Sequence, residues 1–315
     1  MTLPRIGITL GDPGGIGPEI VIKSLSNLSV LPEAHYLLFG SSSVLEEEEN
    51  SLGLKLDRKR IAIQEVKTEL RAAKKGQPDK DNGAASFLYF QEAGEAARAG
   101  EIKALVTAPI AKLSWDMAGI SWRGHTEYLE QFYPEAIMFF WSEKMKVALL
   151  SHHLALKEAI RKVTRKNLVD FFRVLRESVE RAKPGKYQFL VAGLNPHAGE
   201  EGLLGSEEKD EILPSIDEAK AAGLDICGPY PPDIVFRMAL GRPERIVVAL
   251  YHDQGLIAFK LEAFETGVNV TLGLPFIRTS PDHGTAFDIA GKNLADPRSM
   301  MEAVRLASEL SPRPF

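Results

Sequence analysis

Residues 5–25 read RIGITLGDPGGIGPEIVIKSL and predict the first unit of the fold. Arg5–Leu10 is a short apolar run typical of a buried strand, and a helix is expected from Pro18 to about Leu25. The glycine-rich turn between them can bring backbone N–H groups close to an anion. Neither the GxGxxG nor the GxxxxGK[ST] nucleotide-binding pattern occurs. The alternative interpretation is a tight turn that requires a positive φ.

Strand-like and helix-like segments alternate beyond this unit. Tyr36–Phe39 and Ile102–Thr107 are predicted strands, and the alanine-rich segment Ala84–Ala99 is a predicted helix. This alternation indicates a mostly parallel sheet covered by helices on both faces. Ile137–Trp141 and Lys146–Leu150 flank a short turn and are expected to pair as an antiparallel hairpin.

Composition excludes several functional classes. The 315 residues carry a net charge of −5 without a basic run, which argues against a nucleic-acid-binding protein. The single cysteine, Cys227, cannot form an internal disulfide and suits a reducing compartment. No signal peptide and no apolar run near the ~18 residues of a membrane span are found. A cytoplasmic globular protein is therefore expected.

Histidines follow three of the predicted strands. Lys146–Leu150 leads to His152 and His153, Tyr187–Ala192 leads to His197, and Arg245–Leu250 leads to His252. Ligands bind outside the carboxyl ends of the strands in open α/β sheets. Because the histidines lie far apart in the sequence, any shared site must be assembled by the fold.

Three imidazoles with open coordination positions are typical of a catalytic metal site. The alternative is that these are unrelated loop histidines. Asp253 follows His252 and is expected either to orient it or act in acid–base chemistry, or to cap a helix.

The polar stretch Arg278–Asn293, RTSPDHGTAFDIAGKN, is interpreted as a loop that enters a helix. A polar surface loop without a function is the alternative. Arg278 with His125 and Lys260 would form an anion clamp, because arginine offers a planar fork and lysine a point charge. Thr126, beside His125, could instead cap a helix that begins near residue 127.

Several motifs together resemble a known family along nearly the whole chain. They are Gly11–Glu19 (GDPGGIGPE), Gly124–Thr126 (GHT), Asn195–Gly199 (NPHAG), Tyr251–Leu256 (YHDQGL) and Arg278–Gly291. This order is similar to that of the 4-hydroxythreonine-4-phosphate dehydrogenase family of pyridoxal phosphate biosynthesis. The first and last motifs also resemble the β-decarboxylating dehydrogenases that act on isocitrate and isopropylmalate. The resemblance implies two α/β/α lobes of that architecture, with mostly parallel sheets and an active-site cleft between the lobes.

The resemblance also implies roles for individual residues. The metal ligands would be His153, His197 and His252; the substrate-binding residues His125, Thr126, Lys260, Asn269 and Arg278; and the cofactor-binding residues His283, Gly284, Thr285, Asp288 and Asn293. The family uses NAD or NADP and one divalent metal ion per site (Zn²⁺, Mg²⁺ or Co²⁺), in a homodimer whose active site lies at the subunit interface. The general base is not identified, and Asp233 and Asp253 are the candidates.

The expected division of the chain places residues 1–122 and 272–315 in a cofactor-side lobe. Residues 123–271 would form the metal, substrate and dimerisation lobe. The expected reaction is oxidation of 4-phosphohydroxy-L-threonine to a β-keto acid, which decarboxylates to 3-amino-2-oxopropyl phosphate. Paralogues that oxidise threonate or erythronate 4-phosphate or a dihydrodiol carboxylate are the alternative, and a non-catalytic metal- or phosphate-binding protein is another. Glu201, Leu203, Leu204, Pro281 and Phe287 depart from the family pattern and bear on the substrate.

Overall fold

The computed structural model describes residues 3–70 and 72–311 and has an α/β architecture. The strands are β1 (Arg5–Thr9), β2 (His35–Gly40), β3 (Ile61–Glu65), β4 (Ala104–Thr107), β5 (Ile137–Trp141), β6 (Lys146–Leu149), β7 (Gln188–Ala192), β8 (Ile226–Tyr230), β9 (Arg245–Ala249), β10 (Val268–Leu272) and β11 (Ile277–Pro281). The helices are α1 (Gly17–Leu25), α2 (Ser42–Leu52), α3 (Lys80–Arg98), α4 (Lys112–Met117), α5 (His125–Glu130), α6 (Leu156–Arg161), α7 (Arg165–Ala182), α8 (Leu213–Ala221), α9 (Pro232–Ala239), α10 (His252–Ala263) and α11 (Arg298–Leu310). No helix within the described residues is long and apolar enough to cross a membrane.

The chain folds as two compact units. Unit 1 comprises Met1–Pro134 and Leu274–Phe315, and unit 2 comprises Glu135–Gly273. The first boundary lies after residue 134 instead of residue 122, so His125 belongs to unit 1 rather than to the middle segment. The reason is aromatic packing of α5, since the His125 ring lies 4.4 Å from that of Phe90 on α3 and 5.6 Å from that of Trp115 on α4.

Unit 1 contains a fully parallel sheet in the order β3-β2-β1-β4-β11. The predicted βα unit is confirmed as β1, the turn and α1. Gly11 in the turn has φ +69°, and a side chain there would collide with the Pro109 carbonyl oxygen. The turn therefore needs the positive φ that glycine adopts without strain. Ile20, Val21 and Ile22 bury α1 against the core.

Unit 2 contains strands in the order β10-β5-β6-β9-β7-β8. The predicted hairpin of β5 and β6 is confirmed as antiparallel, and β10 also pairs antiparallel with β5. β6, β9 and β7 are adjacent and parallel. The carboxyl ends of these three strands therefore lie at one edge of the sheet, which is where the sequence places the three histidine-bearing loops.

In the stretch from Arg278 to Asn293, the predicted loop is confirmed for residues 282–293, but the strand at its start was not predicted and the predicted helix was wrong. The first residues of the stretch belong to the buried strand β11, and α11 begins only at Arg298. The strand can bury Arg278 because neighbouring side chains accept its hydrogen bonds. Gly291 (φ +75°) and Asn293 (φ +58°) are left-handed and so do not continue a right-handed helix.

Candidate active site

Three side chains of unit 1 form a buried assembly that we call the Arg278 cluster. It consists of Thr107 at the end of β4, His125 at the start of α5 and Arg278 on β11. The Arg278 guanidinium donates to Thr107 Oγ1 from Nε (3.2 Å) and Nη2 (2.6 Å). The same Nη2 lies 3.2 Å from His125 Nδ1. Two of the predicted substrate-binding residues are therefore in direct contact.

The hydrogen bond from Arg278 defines the state of the His125 ring. Because arginine only donates, Nδ1 must accept, and the neutral ring carries its proton on Nε2. Burial and then the positive charge of Arg278 hold the pKa of His125 well below its usual value. Among the described residues, Nε2 has no hydrogen-bond partner. A buried donor of this kind fits an oxygen of a bound anion.

Burial also affects the arginine. It lowers the pKa of Arg278 to about 10, and the negative charge of Glu127 opposes this shift. Arg278 is therefore still a cation at neutral pH, although it is only 3% exposed.

Thr126 is buried within α5 and does not cap that helix, because Gly124 occupies the cap position without a side-chain bond. The alternative interpretation of Thr126 as a cap was wrong.

The predicted cofactor segment is braced by the glycine-rich turn of unit 1. The Ile16 N–H donates to the Thr285 carbonyl oxygen (3.0 Å), and a side chain at Gly15 would meet Thr285 at 2.8 Å. His283 Nδ1 lies 3.0 Å from the carbonyl oxygen of Gly284. Motifs from opposite ends of the sequence thus pack together, which explains why the turn is rich in glycine.

The end of the same segment is anchored to α1 by hydrogen bonds to an ion pair within that helix. Glu19 Oε1 accepts from the Ala295 N–H (2.8 Å) and from Lys23 Nζ (2.7 Å). Lys23 also donates to the carbonyl oxygens of Asn293 and Ala295. Asp288 and Asn293 are exposed. The predicted cofactor residues therefore line a loop with a fixed base and an accessible outer side.

The three predicted metal ligands lie just past the ends of β6, β7 and β9 of unit 2, on connections that we call the histidine loops, and His252 is also the first residue of α10. The rings of His153 and His252 are 5.8 Å apart between centroids, and His152 lies beside His153 at 5.3 Å. Within the part of the chain that the structure describes, His153, His197 and His252 do not form one group whose ligand atoms all lie within 4.8 Å of one another. The fold thus brings two of the three rings close together and places the third on a neighbouring strand end.

The donor set of these loops fits a divalent metal. His252 Nδ1 lies 2.7 Å from Asp253 Oδ1, which leaves Nε2 available to a ligand. A carboxylate on the far nitrogen is the usual partner of a metal-binding histidine. Asp253 does not cap α10, because Tyr251 is the cap residue and makes no side-chain bond. Its contact with His252 favours an orienting role.

The loop that carries His197 has an unusual backbone. Five consecutive residues, 197–201, adopt left-handed conformations with φ between +42° and +79°. This conformation costs roughly 1–2 kcal/mol per non-glycine residue, so it persists only where the surroundings impose it. His153 also has a positive φ, +28°. Backbone strain of this kind concentrates at functional sites.

The remaining predicted site residues also lie on unit 2. Lys260 is on α10, and Asn269 is on β10 with its side-chain oxygen buried and unbonded among the described residues. Asp233 is exposed in the first turn of α9. Sequence reasoning missed Thr107, although a polar residue ending the apolar strand ALVT was a usable signal.

Comparison with known proteins gives consistent matches. Residues 32–307 match the family described as "Pyridoxal phosphate biosynthetic protein PdxA". The chain is 41% identical to the 4-hydroxythreonine-4-phosphate dehydrogenase of Aquifex aeolicus, covering 97% of this chain and 98% of that protein. It is 39% identical to a protein of Oceanobacillus iheyensis named "Putative D-threonate 4-phosphate dehydrogenase", with 98% of each covered. A solved 4-hydroxythreonine-4-phosphate dehydrogenase from Burkholderia phymatum is 36% identical, with a TM-score of 0.84 and 100% of each chain covered.

The fold and these matches define the chain as an oxidoreductase of the dehydrogenase class. More specifically, it belongs to the PdxA family of pyridoxal phosphate biosynthetic proteins. The family and the α/β fold expected from the sequence motifs are thereby confirmed.

Proposed function

We propose that this protein oxidises 4-phosphohydroxy-L-threonine with NAD or NADP and a divalent metal ion. The resulting β-keto acid loses CO₂ to give 3-amino-2-oxopropyl phosphate for pyridoxal phosphate synthesis. The observation that carries the proposal is the Arg278 cluster, in which a buried cation lies beside His125 Nε2, a buried donor that has no hydrogen-bond partner among the described residues. Family membership and the name of the Aquifex aeolicus relative support it.

The substrate phosphate would bind at the Arg278 cluster. Arg278 supplies a charged planar fork, and the neutral His125 donates from Nε2 to a phosphate oxygen. Thr126, Lys260 and Asn269 would add further polar contacts. Fixing the phosphate positions the reacting hydroxyl, and positioning of reactants can lower a reaction barrier by about 7–11 kcal/mol.

The hydroxyl group would react beside the histidine loops. His153, His197 and His252 would hold the metal ion, which supplies Lewis-acid polarisation of a bound hydroxyl or carbonyl oxygen. Asp253 keeps His252 in the tautomer that leaves Nε2 free. Asp253 and Asp233 are the candidate bases for the hydroxyl proton.

The nicotinamide cofactor would bind along the braced segment of unit 1. His283, Gly284, Thr285, Asp288 and Asn293 would contact it, and it would accept the hydride. The turn that supports Thr285 and the Glu19 ion pair that supports the end of the segment would fix its position. The choice between NAD and NADP follows from contacts of the bound cofactor.

A homodimer with both subunits at the active site is part of the proposal. Three large apolar side chains recur at helical spacing along α10 and are exposed. They are Ile257 (64% exposed), Leu261 (85%) and Phe264 (69%), the last of which is the C-terminal cap residue of the helix. A large exposed apolar stripe is typical of a protein interface. The same helix begins with His252, so an interface there would lie close to the histidine loops. The cytoplasmic location remains a prediction.

A second candidate reaction is oxidation of D-threonate 4-phosphate. The relative from Oceanobacillus iheyensis carries that name at 39% identity, close to the 41% of the Aquifex aeolicus relative. Both substrates present a phosphate to Arg278 and a secondary hydroxyl group to the metal site. They differ at C2, where one has an amino group and the other a hydroxyl group. Erythronate 4-phosphate and dihydrodiol carboxylates are further alternatives, as is a non-catalytic phosphate-binding role.

Steady-state kinetics with saturating NAD and Co²⁺ test the proposal. The substrates are 4-phosphohydroxy-L-threonine, D-threonate 4-phosphate and erythronate 4-phosphate, with reduced cofactor and released CO₂ both measured. The proposal expects the highest kcat/KM for the amino substrate and one CO₂ per reduced cofactor. Preference for a sugar-acid phosphate would support oxidation of that substrate instead, and no turnover with any of the three would contradict the proposed oxidation of a phosphorylated hydroxy acid.

A further inference from the structure

Three buried polar side chains lie behind the histidine loops of unit 2, and none of them has a role in the proposed reaction. They are Ser151, Glu208 and Gln254, which are 5%, 4% and 9% exposed. We propose that Gln254, together with Ser151 and Glu208, is a positioning residue that holds the three histidine-bearing loops in register. The inference rests on the proposed function in assigning those histidines to a metal ion.

Gln254 joins two of the loops directly. Its Oε1 accepts from the Leu250 N–H (2.7 Å), and its Nε2 donates to the Gly193 carbonyl oxygen (2.7 Å). Leu250 leads into the loop with His252, and Gly193 leads into the loop with His197. Both halves of one buried amide therefore bridge the ends of the neighbouring strands β9 and β7.

Ser151 connects the third loop to the same point. Its hydroxyl donates to the Leu250 carbonyl oxygen at 2.8 Å. Ser151 lies two residues before His153, on the loop that follows β6. Side chains thus satisfy both the N–H and the C=O of Leu250. The backbone of this residue therefore connects the loop of His153 to the loop of His252.

Glu208 fixes the loop of His197 from within. Its Oε1 accepts from the N–H groups of Leu194 (2.7 Å) and Asn195 (2.8 Å), and its Oε2 accepts from Asn195 Nδ2 (2.9 Å). A side chain at Gly199 would lie 2.6 Å from Oε2, so this glycine makes room for the carboxylate. Bonds to an ionised acceptor are stronger than neutral ones, and here they brace the start of the left-handed turn.

The hydrogen bonds thus run without interruption from the loop of His153 through Leu250, Gln254 and Gly193 to the loop of His197. These hydrogen bonds order the loops before any ligand binds. Without them, the loops would lose conformational entropy when the metal binds, and this loss would weaken binding. Outer contacts that orient metal ligands typically change metal affinity by about 10–100-fold.

The test compares Gln254→Met with wild type and with Gln188→Met. The Met side chain keeps the length of Gln and removes both hydrogen bonds. Gln188 lies at the opposite end of β7, where its amide bonds Asp225 (3.2 Å), and is the matched control. The metal-stripped full-length proteins are titrated with Co²⁺, and Kd is obtained by equilibrium dialysis and the visible absorption band. We expect Kd to rise about 10–100-fold for Gln254→Met and to remain within two-fold for Gln188→Met.

Amide hydrogen exchange of the metal-free proteins gives a second readout. Exchange over residues 193–201 should accelerate in Gln254→Met and remain unchanged in Gln188→Met. An unchanged Co²⁺ Kd together with unchanged exchange would overturn the inference. If Gln254→Met does not fold, Glu208→Gln decides: at least a ten-fold rise in Kd supports the inference, and a value within two-fold contradicts it.

His197→Ala separates this inference from the proposed metal site. If wild type and His197→Ala bind Co²⁺ equally, the assignment of the histidines to a metal is wrong, and with it the link from Gln254 to metal affinity. If His197→Ala loses binding while Gln254→Met keeps both its Co²⁺ affinity and the wild-type exchange over residues 193–201, the metal site stands and the positioning role of Gln254 is wrong.

Discussion

The Arg278 cluster of unit 1 lies inside the fold on regular strand and helix backbone, whereas the histidines of unit 2 lie on loops at a sheet edge. Thr107, His125 and Arg278 are all less than 10% exposed. By contrast, His153 and His197 are exposed and have positive φ. The first site is thus ordered by burial, and the second by a few hydrogen bonds that hold an unfavourable backbone.

This difference indicates what each region contributes. A buried arginine is expensive to desolvate and is retained where its charge is used, so the cluster is suited to a fixed anion. The histidine loops keep their imidazoles accessible, as a metal ligand requires. Their backbone is locally strained, as is common at functional sites. Substitutions in the two regions should therefore affect different quantities: substrate affinity in unit 1 and metal affinity with turnover in unit 2.

The largest expected effect comes from His197→Ala. We expect kcat/KM to fall about 1,000-fold, because metal polarisation of the substrate contributes several kcal/mol to the transition state. Steady-state assays on metal-stripped and Co²⁺-refilled protein measure it, with circular dichroism to verify the fold. Near-normal kcat in the refilled variant would remove His197 from the metal site.

Thr107→Val should have a smaller effect, confined to substrate affinity. It leaves the Arg278 donors without their threonine acceptor, and an unsatisfied buried donor costs about 1–3 kcal/mol. We expect KM for the phosphorylated substrate to rise about 10-fold while kcat changes little. Thr107→Ser keeps the hydroxyl and should restore KM. Equal KM values for Thr107→Val and wild type would show that the threonine does not support Arg278.

The smallest expected effect is on the pH dependence of stability. Since the pKa of His125 is depressed in the folded state, the unfolded state binds more protons below the unfolded value of about 6.5, and stability falls as the pH is lowered through that value. His125→Asn keeps an acceptor for Arg278 and does not titrate. Between pH 6.5 and 5, we expect the free energy of unfolding to fall less steeply in His125→Asn than in wild type. The expected difference in slope is up to about 1.4 kcal/mol per pH unit. Urea unfolding at several pH values measures the difference, and parallel slopes would contradict it.

Much of the fold followed from the sequence because apolar runs with polar ends are a local signal. The runs ending before His153, His197 and His252 predicted three strands, and the parallel order β6-β9-β7 places their ends together. The βα unit at Gly11 was equally readable, since few residues other than glycine suit its turn.

Other features depend on partners distant in the sequence and could not be read from local pattern. Arg278 looked like a loop residue because the side chains that accept its hydrogen bonds, including Thr107 and His125, are distant in the sequence. The left-handed turn at His197 follows backbone N–H groups that donate to Glu208, and this pairing is not apparent from residue spacing. The bridging hydrogen bonds of Gln254 likewise form only because the fold places the ends of β7 and β9 next to each other.

The most direct test of the central claim is the preference of the protein for a phosphorylated substrate, measured in wild type and in Arg278→Met. The comparison is the kcat/KM ratio of 4-phosphohydroxy-L-threonine to unphosphorylated 4-hydroxy-L-threonine, with the surface variant Arg305→Met as control. If Arg278 binds the phosphate, the ratio is high in wild type and control and falls about 10–100-fold in Arg278→Met, as expected for loss of a charged hydrogen bond. An unchanged ratio in Arg278→Met would contradict the assignment of the Arg278 cluster as the phosphate site.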